Sequence, residues 1–464
     1  MSEPALSSAA MSSSIAPTAD KPGQLASAAN IAKPFQDAIT QATAARASAG
    51  KKLAKLVGIL ATPSPPSVAY AQWTKKACEQ VGIAFDIWKT WEDKPEEGAS
   101  PAMDVDEVKR PDSDLEADVE DLIIAANAND DVHGIMVYYP IFGGRQDTYL
   151  QQIVDPRKDV EGLHFSYCWN MYHNVRWVLP KQLGGAPGTT SEMPPDREGV
   201  NDDENVPPGF AKSILPCTPL AIVKCLEAMG VYDRTLPYGD RLYGKVITVI
   251  NRSEVVGRPL AALLSNDGAK VYSVDIDSIQ EFNKRAGAPT PQQSHATGTL
   301  RPSQAVKAAR EANSSRRLRP HHVVRGSPLS VQECVSASDV VISGVPAASY
   351  KVPTDWIKPG AVTVNFSSEK NFEKDVRTRA SIHLPSIGKT TIAMLQRNLL
   401  RLVEYRELQE VDDGRHLPAA AAVEEVVDHL RIHNNKEEEA AVAESGLPML
   451  PDARPLAIRV RQWP

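Results

Sequence analysis

Cysteine and long apolar runs are scarce in this chain of 464 residues, and it has no excess of positive charge. The five cysteines form no C-x-x-C pair and show no zinc-ligand spacing, and their odd number argues against a disulfide framework. Lys and Arg number 51 against 58 Asp and Glu, so the net charge of −7 offers no field for a nucleic acid backbone. No apolar run reaches the roughly 18 residues of a membrane span. We therefore expect no metal, nucleic acid or membrane partner.

The first twenty residues also lack the features of a targeting segment. They contain neither the basic and apolar regions of a secretory signal nor the arginines of a mitochondrial presequence. Together with the unpaired cysteines, this predicts a reducing compartment. We expect a cytoplasmic location, without excluding the nucleus.

Short apolar strands alternate with helical patterns through much of the chain. "KLVGIL" from Lys55, "IAFDIW" from Ile83 and "HGIMVYYP" from His133 are separated by stretches with helical periodicity. This alternation is typical of βαβ units, and it predicts an α/β fold with a parallel sheet. The composition, 42% apolar and 23% charged, suits a globular protein with a sizeable core.

Several segments interrupt this rhythm. Residues 1–30 are rich in Ala, Ser and Pro, which predicts a disordered arm and a fold that begins near Ile31. The tail, residues 412–464, carries apolar residues at helical spacing around Val423 to Leu430, which indicates an amphipathic helix. Turn-rich or charged stretches predict surface insertions at 92–114, 184–209 and 282–328.

A strand, a turn and a helix follow one another in "VITVINRSEVVGRPLAALL", Val246 to Leu264. The β-branched run suits a buried parallel strand, and the N-terminal amides of the following helix could face a pyrophosphate. The usual G-x-G-x-x-G is absent. Asp275 ends the next strand, where a carboxylate would accept from a ribose 2′-hydroxyl and repel a 2′-phosphate, which favours NAD over NADP. Asp275 could instead cap a loop, and Arg252 could meet the 2′-phosphate of NADP.

Four blocks in a fixed order resemble the methylenetetrahydrofolate dehydrogenase family. They are "AYAQWTKKACEQVGI", "KDVEGL", "ILPCTP" and the "RSxxVGxP" turn. The resemblance spans about residues 31 to 410 outside the insertions. It implies an α/β protein of two domains with a cleft between them. The implied boundaries are 31–216, completed by a helix at 391–411, for the folate-binding domain and 217–390 for a Rossmann domain that binds NAD.

The resemblance also implies roles for particular residues. Tyr70 would stack on the folate ring system, although core packing is the alternative for a lone tyrosine, and Glu161 would hold the amino edge of the pterin. On the cofactor side the implied residues are Arg252, Ser253, Asp275, Gly344, Val345 and Thr391. Thr391 could equally cap its helix.

Two positions depart from the bifunctional members of the family. Thr74 stands where those enzymes carry the lysine of Y-x-x-x-K, and Tyr138 stands where they carry a supporting glutamine. A threonine hydroxyl cannot replace an ammonium group as a proton relay, so the cyclohydrolase activity is predicted to be lost. Lys75 or Lys76 could substitute only if the helix rotated.

With these two replacements, the sequence resembles the monofunctional, NAD-dependent branch of the family, which is typified by the fungal cytosolic enzyme. The implied reaction is oxidation of 5,10-methylenetetrahydrofolate to the methenyl form, in one-carbon metabolism and purine biosynthesis, by a homodimer. Two alternatives stay open: a bifunctional enzyme rescued by another lysine, and a catalytically idle scaffold whose insertions and tail bind partners.

Overall fold

The computed structural model describes residues 21–91, 115–183, 209–236, 238–284 and 321–412, with residues 17 and 206. Helices α1 to α9 in these ranges span Ala28–Ser48, Pro65–Glu79, Leu115–Ala128, Gly144–Ile153, Phe165–Tyr172, Cys217–Ala228, Gly257–Asn266, Val331–Ala337 and Gly388–Asp412. Strands β1 to β13 span Gln24–Leu25, Lys55–Leu60, Ala84–Lys89, Gly134–Val137, Trp177–Val178, Ala211–Lys212, Val246–Ile250, Lys270–Val274, Ile279–Lys284, His322–Gly326, Val340–Ser343, Val362–Asn365 and Ile382–Leu384.

The larger sheet has the strand order β1-β13-β12-β11-β7-β8-β9-β10 and is parallel except at β9. Its central strands are β-branched and covered on both faces: Val340 and Ile342 enter one core cluster, while Val341 enters another. The chain runs from β7 to β8 on one side and later returns to β11 on the other side of β7. The order reverses there, and such a switch point opens a crevice at the carboxyl ends of the strands.

A smaller parallel sheet, with the order β3-β2-β4, forms the first domain together with α2, α3 and α9. Leu395, Leu399 and Leu402 of α9 pack in the same core cluster as Leu56 of β2. Asn398 of α9 is fully buried and donates to the carbonyls of Val160 and Leu215, both at 2.9 Å. The last helix therefore returns to the first domain, and it fixes two of its loops.

The structure corrects three of the predicted boundaries. Residues 21–30 do not belong to an arm, because β1 pairs in parallel with β13, with Gln24 opposite Ile382, and α1 begins at Ala28. The predicted insertion 282–328 starts and ends in antiparallel strands β9 and β10, which extend the large sheet. The returning helix begins at Gly388 rather than 391, inside the segment assigned to the Rossmann domain.

The rest of the predicted arm, the insertions 92–114 and most of 184–209, the middle of 282–328, and the tail from residue 413 lie outside the described residues. Among the helices that are described, none is long and apolar enough to cross a membrane.

Candidate functional site

Two aromatic side chains of α2 are partly exposed and lie beside a third aromatic ring, that of Tyr138. Tyr70 and Trp73 are each 37% exposed, with ring centroids 5.9 Å apart. Tyr138, which follows β4, meets the Tyr70 ring edge-on at 5.9 Å and an interplanar angle of 89°. Partly exposed aromatic faces held by edge-to-face packing can stack a flat heterocycle without rearranging. The structure thus places Tyr70 at the surface of the site rather than in the core.

Thr74 lies one turn after Tyr70 and is fully buried. Its hydroxyl donates to the Tyr70 carbonyl at 2.8 Å, which keeps it within its own helix. The Tyr138 hydroxyl is buried, and burial raises its pKa, while the neighbouring Thr74 side chain acts in the opposite direction and lowers it in part. Lys75 points elsewhere, with its ammonium 3.9 Å from Glu79, and Lys76 is exposed. Neither lysine occupies the place beside Tyr70.

Glu161 lies in the loop between α4 and α5, and its carboxyl pKa is raised further than that of Asp159 in the same loop. Its Oε2 accepts from the Val137 amide at 3.0 Å. Burial raises the pKa of Glu161 to about 8, and the Asp159 carboxylate adds to the rise while the Val137 bond opposes it. Such a carboxyl is protonated without a ligand at neutral pH and can take up the charged form when donors arrive.

Asp159 shapes the loop that presents Glu161. Its carboxylate accepts from the backbone amides of Glu161, Gly162 and His164 at 2.8 to 3.1 Å. Gly162 has a positive φ of 72°, and a Cβ there would lie 2.8 Å from the backbone of Leu215. The loop therefore requires both an aspartate and a glycine, and Asp159 positions its neighbour rather than facing the cleft.

Two further groups surround Glu161. The Tyr139 hydroxyl is buried and has no hydrogen-bond partner among the residues described. Its pKa is raised, mainly by burial and to a smaller extent by the nearby charge of Glu161. The Cys217 amide donates to the Glu161 carbonyl at 3.1 Å. Burial, and after it Glu161, raise the pKa of the Cys217 thiol to about 12, which favours the protonated form.

The carboxyl edge of the large sheet forms the second half of the site. Asn251, directly after β7, has a φ of +88°, a conformation usual for glycine. Its side-chain amide donates to the Gly344 carbonyl at 2.7 Å and so bridges the switch point between β7 and β11. A Cβ on Gly257 would lie 1.8 Å from the Asn251 carbonyl oxygen, so the turn must pack tightly on the start of α7. The tight turn thus depends on Asn251 and Gly257, in a segment that lacks the G-x-G-x-x-G pattern.

Three predicted cofactor residues are held by the protein itself. The Ser253 hydroxyl accepts from the amides of Val256 and Gly257, both at 3.3 Å, at the start of α7. The Val345 amide donates to Asn371 at 2.7 Å. Thr391 is not a helix cap: it lies inside the first turn of α9, and its hydroxyl donates to the Ile387 carbonyl at 3.3 Å. A bound dinucleotide would meet Ser253 and Val345 as parts of a preformed rim.

Arg252 and Asp275 lie together at the end of β8. The guanidinium is 3.6 Å from the Asp275 carboxylate, and it donates to the Ser273 carbonyl at 3.1 Å and to the Ser278 hydroxyl. The Arg252 side chain is only 9% exposed, whereas that of Asp275 is 40% exposed. The arginine is thus turned inward, and the carboxylate is the group presented to a ligand.

Sequence reasoning missed four residues that build the site: Trp73, Tyr139, Asn251 and Asn371. Trp73 could have been found, because it lies three residues after Tyr70 on the same helical face. The other three depend on a left-handed turn or on contacts between distant segments. Within the described ranges no group of three His, Cys, Asp or Glu side chains could hold a metal ion.

A parallel sheet with a switch point, a tight turn into a helix and a half-exposed carboxylate directly after the next strand define a dinucleotide-binding enzyme with a second domain across a cleft. Comparison with known proteins is more specific. Residues 27–161 match the catalytic domain, and residues 216–288 the NAD(P)-binding domain, of tetrahydrofolate dehydrogenase/cyclohydrolase.

The chain is similar to the NAD(+) methylenetetrahydrofolate dehydrogenases of Schizosaccharomyces pombe and Saccharomyces cerevisiae. It is 41% identical to each of them. The match to the S. pombe protein covers 77% of this chain and 87% of that protein, and the match to the S. cerevisiae protein covers 84% of this chain and 99% of that protein. The structure of the S. cerevisiae NAD-dependent enzyme superposes with a TM-score of 0.62 at 40% identity, over 84% of this chain and all of that one. The chain belongs to the tetrahydrofolate dehydrogenase/cyclohydrolase family, which confirms the predicted family and α/β fold.

Proposed function

We propose that the protein oxidises 5,10-methylenetetrahydrofolate to 5,10-methenyltetrahydrofolate with NAD. The observation that carries the choice of cofactor is the arrangement at the end of β8. Asp275 presents a half-exposed carboxylate, while Arg252 is engaged with Ser273, Ser278 and Asp275 itself. A carboxylate accepts well from a ribose 2′-hydroxyl and repels a 2′-phosphate. The relatives named above carry NAD in their names.

On the folate side, Tyr70 and Trp73 supply the stacking surface, and Glu161 supplies the acceptor for the amino edge of the pterin. The methylene carbon loses a hydride, and the lone pair of the adjacent nitrogen forms the C=N bond of the methenyl cation. Bound NAD supplies the acceptor for that hydride. The protein's own task is to hold the reacting carbon in place and to exclude water, so no general acid or base is required.

Loss of the cyclohydrolase is part of the proposal. Hydrolysis of the methenyl cation requires water activation and a proton relay, and the position one turn after Tyr70 offers a buried threonine that is bonded to its own helix. Lys75 lies beside Glu79 and not in the site. The methenyl product should therefore leave intact.

The test is to supply methylenetetrahydrofolate with NAD or NADP and to record the methenyl and reduced-nicotinamide absorbance bands. The proposal expects both bands to rise in equal amounts with NAD, with turnover at least about tenfold lower with NADP. Reduced nicotinamide without methenyl accumulation would reveal a hydrolase, and an absence of turnover with either cofactor would reject the enzyme.

Substitutions at Thr74 test the proposed loss of the cyclohydrolase. Thr74→Lys should create measurable hydrolysis of added methenyltetrahydrofolate, while Thr74→Met, of similar length and without charge, should not. Hydrolysis by the unmodified protein at the rate of the lysine variant would overturn the proposed loss.

We also propose a homodimer in the cytoplasm that serves one-carbon metabolism, including purine biosynthesis. The family resemblance is the support for these assignments. Sedimentation equilibrium of the full chain should give twice its mass, and a fluorescent fusion should fill the cytoplasm and be excluded from mitochondria and the secretory compartments.

A further inference from the structure

The segment that carries Asp275 is the turn of a hairpin. Strands β8 and β9 are antiparallel, with Val274 opposite Ile279, so the chain reverses its direction within residues 275–278. The Asp275 amide donates to the Ser278 carbonyl at 2.9 Å and closes this turn. Asp275 and Ser278 are therefore held across the turn from each other, at the carboxyl end of β8.

The side chain of Arg252, from the segment after β7, extends to this hairpin. Its guanidinium donates to the Ser278 hydroxyl and, at 3.1 Å, to the carbonyl of Ser273 on β8. It also lies 3.6 Å from the Asp275 carboxylate. The Arg252 side chain is 9% exposed, although Asp275 and Ser278 belong to an exposed turn. Two hydrogen bonds and one ion pair thus hold a long cationic side chain against the end of the sheet.

The same arginine has the chemistry that a phosphate requires. A planar guanidinium can donate two parallel hydrogen bonds to phosphate oxygens. Its head group is 3.6 Å from the carboxylate proposed to accept from the ribose 2′-hydroxyl, and NADP carries its additional phosphate on that same 2′-oxygen. Rotation of the Arg252 side chain away from the hairpin would bring the guanidinium to such a phosphate. The chain therefore contains a cation suited to NADP, held in an inward position.

We propose that Ser278 is a positioning residue that holds Arg252 inward and thereby selects NAD against NADP. This role presupposes the NAD-dependent function proposed above. To reach a 2′-phosphate, Arg252 must leave Ser273, Ser278 and Asp275, and the free energy of that release lowers the apparent affinity for NADP.

Among these three contacts, that of Ser278 can be removed selectively. Ser273 contributes a backbone carbonyl, and Asp275 contributes the carboxylate proposed to bind the ribose. Ser278 contributes a side-chain hydroxyl, while its backbone carbonyl closes the turn independently. Replacement of the serine by alanine therefore releases Arg252 and leaves the turn and the Asp275 carboxylate in place.

The experiment compares dissociation constants of the full chain for the two dinucleotides, without folate and at one ionic strength. NAD is titrated calorimetrically, and NADP is measured by its displacement of NAD. Ser278→Ala should bind NADP about tenfold more tightly than the unmodified protein, because a hydrogen bond to a charged group no longer restrains Arg252. Its affinity for NAD should change less than about twofold, because the turn is exposed and its backbone bond remains.

Three further variants identify the cause of the change. Ser278→Thr keeps a hydroxyl at this position and should bind NADP as the unmodified protein does. The matched control is Ser336→Ala, which removes an exposed serine whose hydroxyl donates to the Trp356 carbonyl at 3.1 Å, in the helix that leads into the opposite end of β11. This variant should bind both dinucleotides unchanged. The double variant Arg252→Gln/Ser278→Ala should lose the gain in NADP affinity, because the released group is the arginine.

An unchanged NADP affinity in Ser278→Ala, or a gain that persists in the double variant, would overturn the role of Ser278; binding of NAD by the unmodified protein would still support the proposed function. Equal changes for NAD and NADP would indicate a merely structural residue and would overturn the role as well. If the unmodified protein bound NADP as tightly as NAD, the proposed cofactor preference would be refuted, and the role of Ser278 with it.

Discussion

The affinity for folate should depend on pH through Glu161. Burial raises the pKa of this carboxyl to about 8, with a further contribution from Asp159. The amino edge of a pterin donates N–H groups, so it binds the ionised carboxylate better than the acid. At pH 7, one unit below this pKa, about one tenth of the ligand-free protein has Glu161 ionised. The resulting penalty is about 1.4 kcal/mol, or a tenfold loss of affinity relative to high pH.

The assay is the dissociation constant for methylenetetrahydrofolate between pH 6 and 9.5, measured without NAD. It should fall about tenfold per pH unit up to pH 7 and become constant above pH 9. Glu161→Gln should bind weakly, with no such dependence over the same range. A flat profile for the unmodified protein, or the same slope in Glu161→Gln, would refute the assignment.

The same group affects stability with a defined sign. Because the pKa of Glu161 is higher in the folded state, the folded state holds its proton more tightly. The contribution to stability is fully present below the ordinary pKa of 4.5 and is lost as pH rises to about 8. The loss is at most about 5 kcal/mol. Urea unfolding at pH 5 and pH 8.5 should therefore show a larger decline for the unmodified protein than for Glu161→Gln.

Two further substitutions test the cofactor half. Asp275→Ser should lower kcat/KM for NAD by about 10- to 100-fold, because a charged hydrogen bond is lost, with little change in the KM for folate. The control is Asp277→Ser, which removes an exposed aspartate nearby. Equal losses in both variants would reject the role of Asp275. Gly344→Ala should destabilise the fold by about 1–3 kcal/mol in urea unfolding, because the new Cβ would lie 1.9 Å from the Phe366 ring. Gly326→Ala should be neutral, because there is open space around that position. An equally neutral Gly344→Ala would contradict this packing.

Much of this architecture is predictable from the sequence because hydrophobic periodicity is local information. The β-branched run of β7 and the alternation of strands and helices predict the parallel sheets, and the blocks around Tyr70 and Glu161 predict the first domain. Tyr70 and Asp275 are partly exposed, and their neighbours in sequence already set the helix that carries Tyr70 and the strand that Asp275 follows; their roles in binding stay predictions.

The remainder depends on contacts between distant segments. The pairing of β1 with β13 joins residues more than 350 positions apart, and a two-residue strand has no periodicity to detect. The left-handed Asn251 is not distinguishable from an ordinary turn residue in a single sequence. The inward orientation of Arg252 is set by partners on and after β8.

The most direct test of the account follows the hydride itself. Methylenetetrahydrofolate carrying two deuterium atoms on its methylene carbon would be oxidised with NAD, and both products would be analysed by mass spectrometry. The account predicts one deuterium in the reduced nicotinamide and one in the methenyl product, which persists without hydrolysis. Unlabelled reduced nicotinamide, or a formyl compound in place of the methenyl product, would contradict it.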